Sequence, residues 1–285
     1  MSNLSVTRYR SQRRSTLTKH TIVYVILILI SVIIMMPLIW MLSTALKSNE
    51  ELFSNISLIP KAWRWQNFID AWHGAPFTRY MLNTLFITVM GVLGSLLSCS
   101  LVAYGFARVP FKGKRFLFAC VLGTLMIPGS VTMIPTYILF AKIQWVGTYL
   151  PLIVPNFLGS AFYIFLMRQF MLGIPLDYSE AAKIEGAGEL LVYSRIIIPL
   201  VRPALIAVAI FEFNAKWNDY LGPLLYLQDD SMYTLQIGLR YFESANGIEW
   251  QLFMAASLIV LLPVLIIFFL LQRYFIEGVS LSGIK

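Results

Sequence analysis

Residues 173–203 read GIPLDYSEAAKIEGAGELLVYSRIIIPLVRP, a polar stretch between two apolar runs of membrane length. Pro175 cannot sit inside a helix, so a helix begins only after it. Asp177 is placed to cap that helix, and Glu180, three residues on, to complete a capping box. Gly186 stops it. A second helix is predicted from about Gly188 to Ile197. Leu190, Leu191, Ser194 and Ile198 share its face, and Pro199 and Pro203 end it. The bend carries Ala181, Ala182, Gly186, Ala187 and Gly188, small side chains that let another backbone approach closely. The stretch is predicted as a helix–turn–helix that receives a partner. The alternative is an amphipathic connector between spans.

Outward from this loop the chain is apolar. Of its 285 residues, 58% are hydrophobic and 13% charged, against about 25% charged in a soluble domain. Apolar runs of 20 residues and more make it an integral membrane protein. The net charge of +8 does not imply nucleic acid, because the basic residues collect between apolar runs. Cys99 and Cys120 both fall in apolar runs, and His20 and His73 lie far apart, so neither a disulfide framework nor a metal site is expected. The basic, then apolar, start has too long an apolar run for a signal peptide and no cleavage site, so it is read as a retained first span.

Six spans are predicted: 22–46, 82–107, 116–140, 149–170, 203–226 and 253–271. A cytoplasmic tail covers residues 1–21, the transmembrane domain 22–273 with the loop at 173–200, and a second cytoplasmic tail 274–285. Pro37 should kink the first span, and Pro128-Gly129 and Pro135 should break the third. Gly91, Gly94, Ser95, Ser98 and Ser100 should pack the second span closely against a neighbour. Fifteen basic residues then fall in inner segments and six in outer ones, which places both termini inside. Trp63, Trp65, Phe68 and Trp72 in the first outer segment read either as an interfacial aromatic belt or as contact with an external protein.

The fifth span contains FEFNAKWNDY. Glu212, Lys216 and Asp219 fall on one helical face, with Asn214, Trp217 and Asn218 beside it. Ionisable groups at membrane depth usually face a bundle interior or a cavity. Trp and Asn suit a sugar, offering a ring for stacking and amides for hydroxyls. These six residues, with Asn156 in the fourth span, are the candidate solute pathway. The competing reading is a self-satisfied Glu212–Lys216 pair that holds helices together. No G-x-x-x-x-G-K-[ST] occurs, so the chain has no nucleotide-binding loop, and no residue set supports hydrolysis. No catalytic residue and no bound cofactor are expected.

The run Glu180-Ala181-Ala182, Gly186 and Ile196-x-Ile198-Pro199 resembles the EAA signature of the membrane subunits of binding-protein-dependent ABC importers. Ile198 stands where that signature has Leu, and Glu185 where Asp is common. The turn Ala103-Tyr104-x-Phe106-Ala107-Arg108, the prolines 128 and 135, Trp217-Asn218-Asp219 and the ending Gln272-Arg273-Tyr274-Phe275 follow the order of the MalG-like branch, a permease subunit of carbohydrate importers. The resemblance implies an all-α membrane protein of six transmembrane helices, with a cytoplasmic coupling helix between spans 4 and 5. It implies a second, MalF-like permease, a dimer of ATPase subunits that uses ATP and Mg, an extracytoplasmic solute-binding protein, and a bacterial inner-membrane location. It assigns coupling to Glu180, Ala181, Ala182, Lys183, Glu185, Gly186, Ala187 and Pro199, and to Ile284 and Lys285 of the C-terminal tail. The loop also permits a non-sugar solute. An ion-coupled carrier using Glu212, Lys216 and Asp219 is the reading from another class.

Overall fold

The computed structural model of the chain describes residues 3–54, 57–244 and 247–280, with side chains over 20–54, 57–243 and 247–272. By internal contacts it forms two units, one of residues 1–71 with 245–258 and the other of 72–244 with 259–285. Four helices are long and apolar enough to cross a membrane, and two bent helix pairs raise the number to as many as six.

In the first unit, α1 (Asn3–Ala45) is one continuous helix containing Pro37. The helix is already under way at Asn3, before the apolar span that begins at His20. The most apolar window of its span, His20–Ala45, is left uncovered by the rest of the chain. Its last carbonyls are closed by a side chain: Asn67 Nδ2 donates to Ala45 O and Lys47 O, each at 2.8 Å. That satisfies acceptors a helix end leaves open. Exposed Trp63 and Trp65 stack on half-buried Phe68, with successive centroids 6.4 and 6.1 Å apart.

The second unit is built on α2 (Phe77–Arg108), which starts five residues before the predicted span. At 1.5 Å per residue its 32 residues reach about 48 Å. α3 (Lys114–Thr124) and α4 (Gly129–Lys142) meet at 95°, so the predicted break at Pro128-Gly129 is present. Pro135 makes no break and lies inside α4. The fourth span, Leu150–Leu172, is helical at 150–153, tightens to a 3-10 turn at 154–158, and resumes as α5 (Ala161–Leu172). Between the two halves Gly159 takes φ +92°, a left-handed value that side chains disfavour.

α6 (Asp177–Ile184) opens the loop, and a helical run, Glu189–Leu200, closes it. Pro199 does not end that run. A wider π-type segment at Val192–Ile197 precedes the proline and makes room for its ring and missing N–H. The chain bends 78° at Val201 into α7 (Arg202–Trp217), with Pro203 at the start of that helix rather than at the end of the previous one. α7 stops at Trp217, short of the predicted Tyr226, and a separate turn of helix covers Leu221–Tyr226. α8 (Trp250–Ser280) carries Pro263 and continues past the predicted end of the last span.

The main core joins α2, α5, α6, the 189–200 run and α7 through Cys99, Ala103, Met167, Met171, Val192 and Val208. Small residues on α2 pack closely against a neighbour, as expected, and that neighbour is the break in span 4, which was not expected. Ser98 Oγ donates to Asn156 O at 2.9 Å. A Cβ added at Gly94 would lie 2.7 Å from the Phe157 ring, too near for any real side chain. Gly94→Ala is therefore expected to destabilise by about 1–3 kcal/mol. Gly105→Ala, where the added Cβ meets nothing within 4 Å, is the control. Thermal unfolding in detergent reads both, and equal midpoints would refute the packing argument.

Residues 227–243 fold over the N-terminal end of α2. Tyr80 Oη donates to Asp230 at 2.6 Å, Asn83 Nδ2 donates to Ser231 O and Tyr233 O, and Leu235 N–H donates to Thr84 Oγ1 at 2.9 Å. Three polar side chains one turn apart thus hold an otherwise irregular segment.

Candidate functional site

The loop begins one residue earlier than its sequence implies. Leu176 is already helical, and the N–H groups of Ser179 and Glu180 bond its carbonyl at 2.8 and 3.0 Å. Asp177 is therefore inside the helix, and no side-chain cap forms. Asp177 and Glu180 remain in the first turn, where the helix dipole favours negative charge. The far end closes as a Schellman motif: Gly186 N–H bonds Lys183 O at 3.0 Å, and Ala187 N–H bonds Ala182 O at 2.9 Å. Gly186 takes φ +89°, as that motif requires.

Only Ser179 and Ala182 of α6 face inward. Leu176, Tyr178, Glu180, Ala181, Lys183, Ile184 and Glu185 are exposed, Ile184 at 88% and Leu190 beyond the turn at 73%. Among the described residues nothing comes within 4 Å of a Cβ placed on Gly186. The small residue there serves backbone conformation, and the space beside it is open. Exposed branched aliphatic groups flanked by carboxylates make a surface that water does not favour.

The base of the loop is fixed by residues that sequence reasoning placed in a turn but did not connect to it. Tyr104 Oη donates to Glu189 Oε2 at 2.5 Å, and Lys183 pairs with the other oxygen of Glu189. The Tyr104 and Tyr193 rings meet edge to face at 5.3 Å, and Tyr193 Oη hydrogen-bonds Ser100 Oγ at 2.7 Å. Arg108 Nη2 donates to Met171 O and Ile174 O, both at 2.6 Å, where α5 runs out. The signal was present in the sequence as Tyr104 and Arg108 at i, i+4, one face of one helix end.

The predicted pathway residues divide into three groups. Asn156, Glu212 and Lys216 come together. Lys216 Nζ stands 3.8 Å from Glu212 Oε1 and 3.4 Å from Leu152 O. Asn156 Nδ2 donates to Leu152 O and Ile153 O at 2.8 and 3.0 Å. These carbonyls lie where span 4 changes from α to 3-10 geometry, and backbone groups at membrane depth must find internal partners. Gly91 makes the room: an added Cβ would lie 3.1 Å from Lys216 and 3.4 Å from Asn156. Glu212 is 5% exposed, and its Oε1 has no hydrogen-bond partner.

Trp217 is not available for stacking on a solute. It is 2% exposed, its Nε1 donates to Val260 O at 3.0 Å, and its ring stacks on Phe213 at 5.3 Å. Trp217→Phe is expected to lower thermal stability by about 1 kcal/mol with solute uptake unchanged. Lost uptake at full stability would overturn the core assignment. Asp219 is not on the α7 face with Glu212 and Lys216, because the helix has ended. Its carboxylate instead accepts from Gly222 N–H at 3.0 Å and starts the next turn. Asn214 and Asn218 remain exposed and joined to each other: Asn218 Nδ2 donates to Asn214 Oδ1 at 2.6 Å. With Ala215 they form one exposed face of α7, beside Phe211, whose ring packs edge to face on Phe162 at 6.2 Å. Asn214 also opens onto a crevice of about 240 Å³ between α7 and α8, near Phe211, Phe268 and Gln272.

Ile284 and Lys285 lie outside the described residues. Among the described residues no group of three or more His, Cys, Asp or Glu could hold a metal ion.

A loop of this form between two membrane segments, with polar groups in the span interior, defines a transport component. Residues 96–281 match the family described as "Binding-protein-dependent transport system inner membrane component", and the chain belongs to that family. It is a multi-pass inner-membrane permease of the ABC type. The chain is 35% identical to the arabinooligosaccharides transport system permease protein AraQ of Halalkalibacterium halodurans, over 90% of this chain and 93% of that one. It is 32% identical to the melibiose/raffinose/stachyose import permease protein MelC of Bacillus subtilis, over 87% and 91%. It is 31% identical to the sn-glycerol-3-phosphate transport system permease protein UgpE of Yersinia pestis, over 90% and 94%. The fold is shared with a chain of a bacterial ABC transporter involved in the import of alginate, with a TM-score of 0.82 at 23% identity over 92% of this chain and 98% of that one.

Proposed function

We propose that the chain is one of two permease subunits of an ATP-driven carbohydrate importer and forms half of its translocation pathway. The two bent helix pairs each count as one span, giving six, with both termini on the cytoplasmic side and short tails at 1–21 and 274–285. The 173–200 loop is the coupling element and seats α6 in a cytoplasmic ATPase subunit. The observation that carries this is the outward face of α6, apolar and acidic, uncovered by its own chain, yet held on a fixed base. The AraQ and MelC relatives support a sugar as solute. A transporter of the same fold is known in complex with a saccharide-bound periplasmic protein, which supports a solute-binding protein as partner. The UgpE relative keeps a phosphate ester as the second reading of the solute.

In this mechanism the binding protein delivers solute to the outer face. ATP and Mg are used by the paired ATPase subunits, and this chain has no nucleotide site of its own. Closure of the ATPase pair moves α6, and the spans switch between inward and outward openings as rigid bodies. The exposed α7 face with Asn214 and Asn218 is the part of this chain set to meet solute or the second permease.

The test is to tag the chain, extract the membrane in mild detergent and weigh the purified complex. A second permease with two ATPase copies is the expected result. Recovery of the chain alone, or as a homodimer with no ATPase even when nucleotide is added, would overturn the coupling assignment. Competition among sugars and phosphate esters for the cognate binding protein then decides the solute.

A further inference from the structure

We propose that Tyr104 and Arg108 are positioning residues that make α2 move with the loop, so that ATPase motion enters the second span directly and not only through α5 and the 189–200 run. This rests on the coupling role proposed above. α2 is not a covalent neighbour of the loop; it lies more than 60 positions earlier in the chain, and its link to the loop is entirely non-covalent.

Three polar ties make that link: the hydrogen bond between Ser100 Oγ and Tyr193 Oη at 2.7 Å, and two with a charged member on opposite sides of the loop. On the far side, Tyr104 Oη donates to the Glu189 carboxylate at 2.5 Å, and the same carboxylate holds Lys183 of α6. Glu189 thereby joins α2 to both arms of the helix–turn–helix. On the near side, Arg108 donates to Met171 O and Ile174 O at 2.6 Å, closing carbonyls where α5 ends and the loop begins. Arg168 on α5 returns the contact, its Nε donating to Phe106 O at 3.1 Å while its guanidinium lies 4.1 Å from the Phe118 ring. Hydrogen bonds to charged groups are the stronger kind, and the ties made by Tyr104, Arg108 and Arg168 each have a charged member.

Between the ties, Ala103 and Ala107 of α2 are buried against Met167, Met171, Ala182 and Val192. Apolar packing resists separation but slides easily, whereas directional bonds at both ends forbid sliding. The turn Ala103–Arg108 is thus spaced to deliver two small packing residues and two polar ties to one helix face.

The experiment uses the complex purified with its ATPase subunits, in a chain whose own cysteines are replaced (Cys99→Ala, Cys120→Ser). One pair of spin labels at Leu101→Cys and Leu190→Cys reports α2 against the loop. A second pair at Leu139→Cys and Leu190→Cys reports the loop against α4, which the ties do not touch. All three sites are exposed. On ATP binding the 139–190 separation is expected to change and the 101–190 separation to stay fixed. In Tyr104→Phe, which keeps the ring and loses only the donor, the 101–190 separation is expected to change or split. Stimulation of ATP hydrolysis by the binding protein should fall on the order of tenfold, with basal hydrolysis retained. Should Tyr104→Phe fail to assemble, Glu189→Gln, which keeps the shape and removes the charge that Tyr104 and Lys183 share, gives the same readout. A 101–190 distance that changes in the unmutated complex, or stays fixed in the variant, overturns the proposal. If neither distance responds to ATP, the coupling role itself fails and the brace with it.

Discussion

Gly186→Asp should leave the chain inserted and assembled at ordinary abundance while abolishing solute uptake. Gly186 is the left-handed residue of a Schellman turn, at φ +89°. An L side chain in that region costs about 1–2 kcal/mol, too little to unfold a helix anchored by Ala182 in the core. Its Cβ would meet none of the described residues within 4 Å. A large functional loss must therefore come from what occupies the space outside. Comparing Gly186→Ala with Gly186→Asp separates the two causes, because both carry the backbone strain and only Asp adds bulk and charge. Reduced uptake in Ala and none in Asp, at equal membrane abundance, is the expected series. Normal uptake by Gly186→Asp at wild-type abundance would sink the loop assignment, and equal losses in both variants would show that strain alone decides.

The second large effect is expected at Lys216 and Glu212. Lys216→Met leaves the Glu212 carboxylate in a site 5% exposed with no cation near it. Breaking a buried pair from one side costs about 3–5 kcal/mol. Glu212→Gln strands the ammonium instead, although Leu152 O at 3.4 Å still accepts from it, so its loss should be smaller. Removing both charges together should recover most of the stability, because a neutral pair has no desolvation to offset. It should not recover all, because Leu152 O then loses Lys216 and keeps Asn156 as its side-chain donor. Thermal unfolding of the four forms makes the double-mutant cycle, with uptake measured beside it. Additive losses would mean the two groups act independently. A stable, neutral double variant that no longer transports would move Lys216 from a structural role to the solute pathway.

The carrier alternative weakens on the same ground. It needs Glu212, Lys216 and Asp219 in one charged row, and α7 ends before Asp219 is reached. Asp219 begins the next helical turn instead, bonded to Gly222 N–H.

What the sequence by itself determined were the features set by local chemistry. Twenty-residue apolar runs mark spans because the bilayer core has a fixed thickness. Proline and glycine mark breaks and turns because they restrict or free the backbone where they stand, which placed the break at Pro128-Gly129 and the stop at Gly186. Pro175 and Gly186 bounded the loop for the same reason, and the E-A-A spacing added a family resemblance. Local rules failed where a competing partner was distant in sequence. Asp177 was expected to cap α6, but Leu176 had already begun the helix. Pro199 was expected to end a helix, but a wider turn before it absorbed the ring. Trp217 was read as a stacking surface until Val260, 43 residues away, claimed its N–H.

Only the tertiary structure decided which polar groups meet. Asn156 and Lys216 converge because both reach Leu152 O where span 4 changes from α to 3-10 geometry, and because Gly91 on a third helix gives them room. Tyr104 and Glu189 are 85 positions apart and share one hydrogen bond. Their pairing depends on how α2 packs against the loop, and no periodicity within either segment encodes it. Span and turn positions, and the i,i+4 pair of Glu212 with Lys216, follow from local spacing and each residue's own preferences, whereas the brace and the contact of Lys216 with Leu152 O arise from bonds made across helices after those spans have packed.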